Sequence, residues 1–419
     1  MIIFSIDTMP LNDNIIDSND YSSKIIYSAV MDPLFKYNSQ KRKYIKNSCK
    51  NFCYKLDNSI LEIELRNDLF FSDGSNVKAI DYYKICKNLL KLNNHVGFLF
   101  REFFSDVKIK SDYILELTNL NKNDESYKIL SVYNIGCIKK NNITSGPYFI
   151  DKKSKNCIIL RRNKYYRKKS KNDAIKFIVT NGINDYKLFN ENRVDITNNT
   201  LFDINNVEKY GYISEKNYIY MSLNFSPKLL SNKFKNLRKY IMYSIDRNRI
   251  VNILDNKFCS FNSFILNDNK VKTFNLNVLH GICSNEIFTL GYNDFYPNNI
   301  VAEELKKQLE QKGLEIKLVK NKFNTKNEND LNIVLNYLDF ISEDAMIYFP
   351  YFRVLFNNTI CNMLMSLYGR THNRVILNII NNTLLRSCKK IPIIEMCGYY
   401  KKNSKLQKFN YIELNYEEL

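Results

Sequence analysis

The stretch LRNDLFFSDGSNVKAIDYYKICKNLL, from residue 65 to residue 90, combines residue types that can do acid–base chemistry. Arg66 can hold an anionic group, and the carboxylates of Asp73 and Asp81 can accept or donate a proton. The same residues can also serve the fold alone, because Ser-Asp-Gly is a turn signal and a helical pattern follows it. Taken by itself, the stretch leaves the catalytic and the structural interpretation open.

A second group of acids lies in the segment SEDAMIYF, where Glu343 precedes Asp344, and Asp339 lies four residues before Glu343. As a structural feature, these acids form a polar loop between two apolar segments. As a functional feature, they put negative charge where a cationic ligand could bind.

The chain is strongly basic, with 62 Lys and Arg residues against 43 acids and a formal charge of +19. Such a charge favours an anionic partner such as a nucleic acid, a membrane surface or a cell wall. The densest basic cluster is either an anion site or a solvated hairpin and turn. Its members are Arg161, Arg162, Lys164, Arg167, Lys168, Lys169 and Lys171. Because the other basic residues are scattered along the chain, no nucleic-acid partner is expected.

The histidines and cysteines show no recognisable metal or nucleophile pattern. His95, His280 and His372 lie far apart, and the ten cysteines are irregularly spaced without a Cys-x-x-Cys pair. Phosphate-loop, dinucleotide, zinc-helix and nucleophile-elbow motifs are absent from the sequence. Scattered cysteines in a long chain fit a reducing compartment better than a disulfide framework. The sequence therefore predicts no enzyme, no cofactor and no metal site.

Strands and helices alternate in a pattern typical of an α/β chain with two or three domains. Strands are predicted at residues 2–6, 60–65, 148–151, 157–161, 175–179 and 218–225. A helix is predicted over 20–34, entering a loop at Asp32-Pro33. The helix after Gly74 is predicted to turn Ile80, Tyr83 and Leu90 inward. The clearest unit is a strand–helix–strand crossover over residues 288–319, closed by Gly313, which implies parallel strands.

The start MIIFSIDTMPL is not predicted to be a signal peptide, because Asp7 interrupts a short apolar run and no positive segment precedes it. No stretch approaches the roughly 18 apolar residues of a membrane span. The sequence as written predicts a soluble chain without an export segment.

Several segments, in order along the chain, resemble the family 5 extracellular solute-binding proteins, which are the dipeptide, oligopeptide and nickel-chelate receptors of ABC importers. LRNDLFFSDGSNVKAIDYYKICKNLL resembles the strand–turn–helix signature of that family, and TSGPYFI with IILRRNKYY resembles its Gly-Pro-Tyr hairpin. Further matches are KLFNENRVDIT, YMSLNFS, LRKYIMYSIDRNRIVNIL, the 288–319 crossover and KKIPIIEMCGYY. No single motif is decisive, but the ordered set covers nearly all of residues 1–410.

The resemblance implies a two-lobed α/β fold of the periplasmic-binding-protein type (type II, cluster C) with an inserted α+β subdomain. The first lobe would combine residues 1–34, 145–224 and 391–419. Residues 35–144 would form the inserted subdomain, and residues 225–390 the second lobe. A ligand would bind in the cleft between the lobes, which close by a hinge motion.

The resemblance also implies residues that line the cleft, namely Tyr27, Asp32, Tyr220, Asp339, Phe340 and Glu343. Peptide receptors of the family commonly place an Asp before an aromatic residue in a loop that crosses the ligand, where the carboxylate binds the α-ammonium group. Asp339 and Phe340 match this pair. The Pro-Asp-Pro that often follows is replaced here by Ile341-Ser342-Glu343, so the peptide interpretation depends on one position.

On this resemblance, the chain is expected to capture a peptide or peptide-like solute as a monomer and to pass it to ABC permease subunits. It would then work outside the cytoplasm near a membrane, although the sequence shows neither a signal peptide nor a lipid-anchor cysteine. Two alternatives stay open. One is a receptor for a metal chelate such as nickel, and the other is a cytosolic ligand-sensing or regulatory protein with the same lobes.

Overall fold

The computed structural model describes residues 1–180, 185–199, 212–254, 258–261, 263–265, 286–321, 328–337 and 359–419. The strands are β1 (Ile2–Ile6), β2 (Phe35–Asn38), β3 (Lys43–Lys46), β4 (Cys49–Lys55), β5 (Ile60–Leu65), β6 (Phe104–Ser111), β7 (Ile114–Asn119), β8 (Ile138–Lys139), β9 (Ile143–Thr144), β10 (Tyr148–Ser154), β11 (Cys157–Arg162), β12 (Ala174–Val179), β13 (Ile213–Phe225), β14 (Cys259–Ser260), β15 (Ile287–Asn293), β16 (Glu315–Asn321), β17 (Leu331–Tyr337) and β18 (Lys390–Tyr400). The helices are α1 (Tyr21–Tyr27), α2 (Ala79–Leu89), α3 (His95–Phe103), α4 (Asp185–Asn190), α5 (Pro227–Leu230), α6 (Lys235–Ser244), α7 (Arg247–Ile253), α8 (Asn298–Glu310), α9 (Thr359–Thr371) and α10 (Arg374–Ser387).

The first lobe is built on a four-stranded sheet in the order β1-β12-β11-β10. β1 runs parallel to β12, and the other two pairs are antiparallel. The ring of Phe4 lies 5.2 Å from that of Phe409 and 5.9 Å from that of Tyr416, all three of them buried. The C-terminal segment therefore completes the core that the first strand begins, and the predicted strands of this lobe are confirmed.

The inserted subdomain has its own sheet, in the order β4-β5-β7-β6, with all pairs antiparallel. Burial alternates along β5, as the pattern ILEIEL predicts, so that Leu61, Ile63 and Leu65 face the core. The helices α2 and α3 cover this face of the sheet with apolar side chains.

The inward face of α2 differs from the predicted one. Ile80 is 39% exposed, and the buried residues are instead Ala79, Tyr82, Ile85, Cys86 and Leu89. The helix begins at Ala79, where the Asp81 carboxylate accepts the backbone N–H of Lys78 at 2.9 Å. Burial at 82, 85, 86 and 89 follows the three-and-four spacing of a helix, and Ile80 lies off that stripe.

The second lobe contains the predicted crossover. β15 and β16 are parallel with α8 between them, and Gly313 ends the unit in a left-handed conformation with a φ of 84°. Val301, Leu305 and Leu309 form the buried stripe of α8. This part of the prediction is confirmed.

The strands β13 and β18 extend from the sheet of the second lobe to the first lobe. Both belong to a six-stranded sheet in the order β14-β18-β13-β17-β15-β16, where β13 pairs antiparallel with β17 and with β18. Tyr400 at the end of β18 packs in the core of the first lobe, whereas Met396 packs in the other core. The predicted lobe boundaries, including those at residues 224 and 391, stay predictions.

Helix α1 ends at Tyr27, before the loop that was predicted at Asp32-Pro33. The chain then turns, and two of its carbonyls accept hydrogen bonds from the Gly-Pro-Tyr hairpin: Gly146 N donates to Val30 O at 2.9 Å, and Tyr148 N donates to Ala29 O at 3.0 Å. Gly146 lies so close to this turn that a Cβ atom would collide with the backbone of Val30 and Met31. Among the described residues, no helix has the length and apolarity needed to cross a bilayer.

We expect Gly146→Ala to destabilise the protein, because the added methyl group would push the hairpin away from Val30 and weaken the hydrogen bond of its N–H. The expected loss in the free energy of unfolding is about 1–3 kcal/mol, measured by urea denaturation. Gly369→Ala is the matched control, since its new Cβ would meet only Asn123 at an ordinary 3.4 Å. Equal effects of the two substitutions would contradict the close approach.

Candidate functional site

The residues predicted to line the cleft fall into separate parts of the molecule. Tyr27 and Asp32 lie in the first lobe, and Tyr220 lies on β13 in the sheet of the second lobe. The remaining three, Asp339, Phe340 and Glu343, lie outside the described residues. The three described side chains are buried, and the structure does not bring them together. Contact with a ligand stays a prediction for all six.

Asp32 is the centre of a buried hydrogen-bond network. Its carboxylate forms an ion pair with Arg167, with Nη1 to Oδ2 at 2.5 Å and Nη2 to Oδ1 at 3.3 Å. Tyr166 donates its hydroxyl to Oδ1 at 3.0 Å. The amide of Asn47 donates to Oδ1 at 2.8 Å, and the hydroxyl of Ser48 donates to Oδ2 at 2.5 Å. Both carboxylate oxygens are thus satisfied by protein groups.

This network joins the first lobe to the inserted subdomain, because Asn47 and Ser48 belong to the subdomain and Arg167 to the first lobe. Tyr82 of α2 adds a hydrogen bond from its hydroxyl to the backbone carbonyl of Asp32 at 2.8 Å. Burial alone would raise the pKa of Asp32, but the nearby Arg167 charge and its hydrogen bonds outweigh burial and lower the pKa. Asp32 is therefore held as a carboxylate, and its charge fixes the subdomain in place.

The basic cluster at residues 161–171 is largely paired with acids of the same lobe. Arg161 lies 2.8 Å from Asp151, Arg162 lies 2.7 Å from Asp173, and Lys168 lies 3.6 Å from Glu417. Together with the Arg167–Asp32 pair, these contacts favour the structural interpretation of the cluster over an anion site.

A second buried polar cluster surrounds Tyr220. Its hydroxyl lies 3.5 Å from the ammonium nitrogen of Lys390, which donates to the side-chain carbonyl of Asn336 at 2.8 Å. The amide of Asn336 donates in turn to the Ser222 hydroxyl at 3.0 Å. Burial lowers the pKa of Lys390 to about 7. These residues come from β13, β17 and β18, so the cluster ties together the strands that run toward the first lobe.

The ends of β13 and β18 contact the first lobe directly. Tyr399 N donates to Asn199 O at 3.2 Å, and Thr197 and Lys401 exchange two hydrogen bonds, from Thr197 N to Lys401 O at 2.9 Å and from Lys401 N to Thr197 Oγ1 at 2.8 Å. The side-chain amide of Asn199 also donates to the hydroxyl of Tyr21 at the start of α1. This junction is the place where the two lobes meet along the backbone.

Glu215 is the acid of this junction. The carboxylate accepts the backbone N–H of Tyr411 at 3.0 Å, and the hydroxyl of Tyr400 lies beside it. Burial raises the pKa of Glu215 to about 7, although the hydrogen bonds from Tyr411 and Ile412 and the charge of Lys402 act in the opposite direction. The group therefore titrates near neutral pH in the folded protein.

An aromatic cage lies on the same side of the junction. The ammonium group of Lys401 lies 4.6 Å from the ring centroid of Tyr186, and 5.7 Å from those of Phe189 and Tyr212. Such distances allow cation–π attraction. The cage joins α4 of the first lobe to the segment that enters β13.

Chemically, the junction offers phenol, amide, carboxyl and ammonium groups together with aromatic faces. Such groups can bind a polar ligand and orient it by hydrogen bonds. Among the described residues, no three His, Cys, Asp or Glu side chains gather into a metal site.

Sequence reasoning did not identify Glu215 or Lys390. The signal available for both was a charged residue in or beside an otherwise apolar strand, in ISEKNYIYMSLNF and KKIPIIE. That signal shows only that a charge enters the sheet, because its partners come from residues more than 50 positions away.

Comparison with known families finds one match. A family model described as bacterial extracellular solute-binding proteins, family 5 middle, matches residues 54–358. No curated protein sequence matches the chain.

Solved structures similar to this chain share its fold at low sequence identity. The oligopeptide-binding protein AppA from Bacillus subtilis, in complex with a nonapeptide, is 15% identical, with a TM-score of 0.82 over 100% of this chain and 98% of that one. The murein tripeptide binding protein MppA from Escherichia coli is 14% identical, with a TM-score of 0.84 over 99% and 96%. NikZ from Campylobacter jejuni, in complex with Ni(L-His), is 15% identical, with a TM-score of 0.78 over 96% and 94%.

We expect Asp32→Ala to lower the free energy of unfolding by about 3–5 kcal/mol, because it leaves the buried Arg167 charge without its partner. The pKa of Asp32 is lowered in the folded state. Its stabilising contribution is therefore present above the unfolded-state pKa of about 4 and lost as pH falls through the folded-state pKa. Urea denaturation at neutral pH and near pH 3 measures both effects.

Glu64→Ala is the control, since it removes an exposed ion pair with Lys50 worth at most about 1 kcal/mol. Similar losses for both variants would refute the role of Asp32.

We expect Glu215→Gln to stabilise the protein relative to wild type, and to do so more at pH 8 than at pH 5. The folded protein holds the Glu215 proton up to about pH 7, whereas the unfolded chain loses it near pH 4, so wild-type stability falls between these values. The expected gain at pH 8 is of order 1 kcal/mol or more in the free energy of unfolding. Glu310→Gln on the exposed side of α8 is the control. A difference between Glu215→Gln and wild type that does not change with pH would contradict this expectation.

Proposed function

Because this chain belongs to the bacterial extracellular solute-binding proteins of family 5, we propose that it captures a peptide or peptide-like solute between its lobes for an ABC importer. The observation that carries this proposal is the pair of lobes connected by β13 and β18. The end of β18 contacts residues 197–199 of the first lobe, and Glu215 of β13 accepts the backbone N–H of Tyr411. Two lobes joined by adjacent strands can open and close around a ligand. Similar structures were solved with peptides of several lengths, including a nonapeptide in AppA and STSA in the Helicobacter pylori protein DppA.

The ligand contacts that we propose come first from residues 339–343, which match the segment that contacts the ligand in peptide receptors of the family. Asp339, followed by Phe340, would bind the α-ammonium of a peptide, with Glu343 as a second negative charge near it. The contact would gain net affinity only with good hydrogen-bond geometry, because a charge pair loses its hydration when it is buried. We also propose Tyr27, Asp32 and Tyr220 as lining of the cleft, as the resemblance to the family implies; their side chains are buried in this structure.

The location and the partners that we propose follow from membership of the same solute-binding family. A receptor of this kind works outside the cytoplasm, binds as a monomer and passes its ligand to permease subunits without changing it chemically. The alternative ligand is a metal chelate, since NikZ has the same fold and was solved with Ni(L-His). A chelate brings most of its own metal ligands, so it would need few from the protein.

The test measures the melting temperature of the purified chain with a library of di- to nonapeptides and, separately, with nickel and histidine. Peptides that bind should raise the melting temperature, because they bind the folded state alone. A rise with the nickel–histidine complex only would favour the chelate receptor. No rise with either set would overturn transport as the function.

We expect Asp339→Ala combined with Glu343→Ala to weaken peptide binding by about tenfold or more, measured by calorimetry. Acetylating the amino terminus of the peptide should weaken binding to wild type by a similar factor and leave binding to the double variant nearly unchanged. Glu303→Ala combined with Glu310→Ala on the exposed face of α8 is the matched control. If acetylation weakens binding to both proteins equally, the two acids do not meet the ammonium group.

A further inference from the structure

Two helices of the second lobe carry exposed apolar stripes. On α9, Ile360, Met363 and Leu367 recur at a spacing of three and four residues, and Val375 and Ile379 do so on α10. These five side chains are between 45% and 68% exposed. They account for five of the sixteen large apolar side chains that are exposed in the described part of the chain. The apolar exposure of the described surface is thus concentrated in one helical hairpin.

The opposite faces of both helices are fixed to the protein. On α9, Tyr368 and Gly369 are buried, and Gly369 faces Asn123 of the inserted subdomain. On α10, Asn381 accepts the backbone N–H of Phe264 at 2.8 Å and donates to the hydroxyl of Ser263 at 3.0 Å. Because these contacts hold the inner faces, the apolar stripes point away from the protein.

Positive charge surrounds these stripes. The sequence contains no Asp or Glu from residue 345 to residue 394, although the whole chain has 43 acids. Arg370 continues the stripe of α9, Arg386 continues that of α10, and Arg374 begins α10; all three are exposed. Such a long acid-free stretch makes the hairpin basic as well as apolar.

The acids that approach the hairpin come from the subdomain side. His372 contacts Asp124 at 2.7 Å and Glu125 at 3.5 Å, and Asp57 lies near Arg370. His372 follows the end of α9 and packs its ring 5.7 Å from that of Tyr368, which is on the inner face. Asp124 and Glu125 therefore balance the inner face, whereas Asp57 approaches Arg370 at the subdomain edge of the outer face.

We propose that this hairpin face (Ile360, Met363, Leu367, Arg370, Arg374, Val375, Ile379 and Arg386) binds the surface of a lipid bilayer that contains anionic lipids. An amphipathic helix with apolar residues on one side and arginines at its edge lies in the plane of the headgroups, where the apolar side chains enter the acyl boundary. The long arginine side chains reach back to the phosphates. Each basic residue near an anionic surface adds to the attraction.

Other partners fit this face less well. A second copy of the chain would bring two acid-free basic faces together, which like charges oppose. A nucleic acid would use the arginines but leave the apolar stripes in water, so nothing would be gained from their exposure. A bilayer with anionic headgroups satisfies both the charge and the apolar surface, and this binding does not require the interlobe cleft to hold a ligand.

The test is flotation of the full chain with vesicles of phosphatidylcholine alone and of phosphatidylcholine mixed with phosphatidylglycerol. Wild type should float with the anionic vesicles and much less with the neutral ones. Met363→Gln combined with Val375→Gln and Ile379→Gln should reduce binding to anionic vesicles by about tenfold or more. Arg370→Gln combined with Arg386→Gln should reduce it by a similar factor, and added salt should weaken wild-type binding.

Matched controls separate this face from the general charge of the protein. Ile109→Gln combined with Ile253→Gln and Ile287→Gln removes exposed apolar residues elsewhere, and Lys84→Gln combined with Lys155→Gln removes two exposed charges elsewhere. Both control variants should bind like wild type. The proposal is overturned if wild type does not float, if it binds neutral vesicles equally, or if the controls lose as much binding as the hairpin variants. Concentration-dependent dimers that disappear in the apolar hairpin variant would assign the face to a second copy instead.

Discussion

The buried charge of Asp32 is the constraint around which the first half of the chain is arranged. A carboxylate cannot stay buried without partners, and Arg167, Tyr166, Asn47 and Ser48 supply them from two separate segments. These contacts require α1 to end before Asp32, the chain to turn at Pro33, and Asn47 and Ser48 of the subdomain to lie against the first lobe. The Gly-Pro-Tyr hairpin packs on the same turn through Gly146. The Asp32–Arg167 ion pair and its hydrogen bonds thus form a central contact between the subdomain and the first lobe.

Local patterns predicted the parts of this fold that local forces determine. The crossover over 288–319 carries its apolar stripe, its terminal glycine and both strands within one window, so its structure could be predicted from the sequence. The strand β5 was predicted for the same reason. Ile80 was predicted to face inward, but it faces outward. The first residue of α2 decides which side of the helix each later side chain faces, and the residue types determine that first residue only approximately.

The site was harder to predict because the same residue types can line a cleft or hold a core together. Asp32 and Tyr220 have the chemistry of ligand contacts, yet their partners lie between 15 and 170 residues away and bury them. Glu215 and Lys390 acquire their properties in the same way, from strands and segments that meet only in the folded protein. Charge type can be read from one position, whereas burial and pairing depend on the tertiary structure. The pairing of β13 illustrates this, since both strands that pair with it, β17 and β18, come more than 100 residues later in the chain.

The packing of Phe4 against Phe409 and Tyr416 has a consequence for the order in which the protein folds. Phe4 shares one core with residues that lie about 400 positions later in the sequence, so the first lobe has a high contact order and must close a very long loop. The subdomain and the crossover unit of the second lobe are made of nearer segments and can fold while synthesis continues. The strand β1 is synthesised long before the aromatic residues that complete its core. Until the segment around Tyr416 has been synthesised, the apolar face of β1 stays exposed and accessible to chaperones.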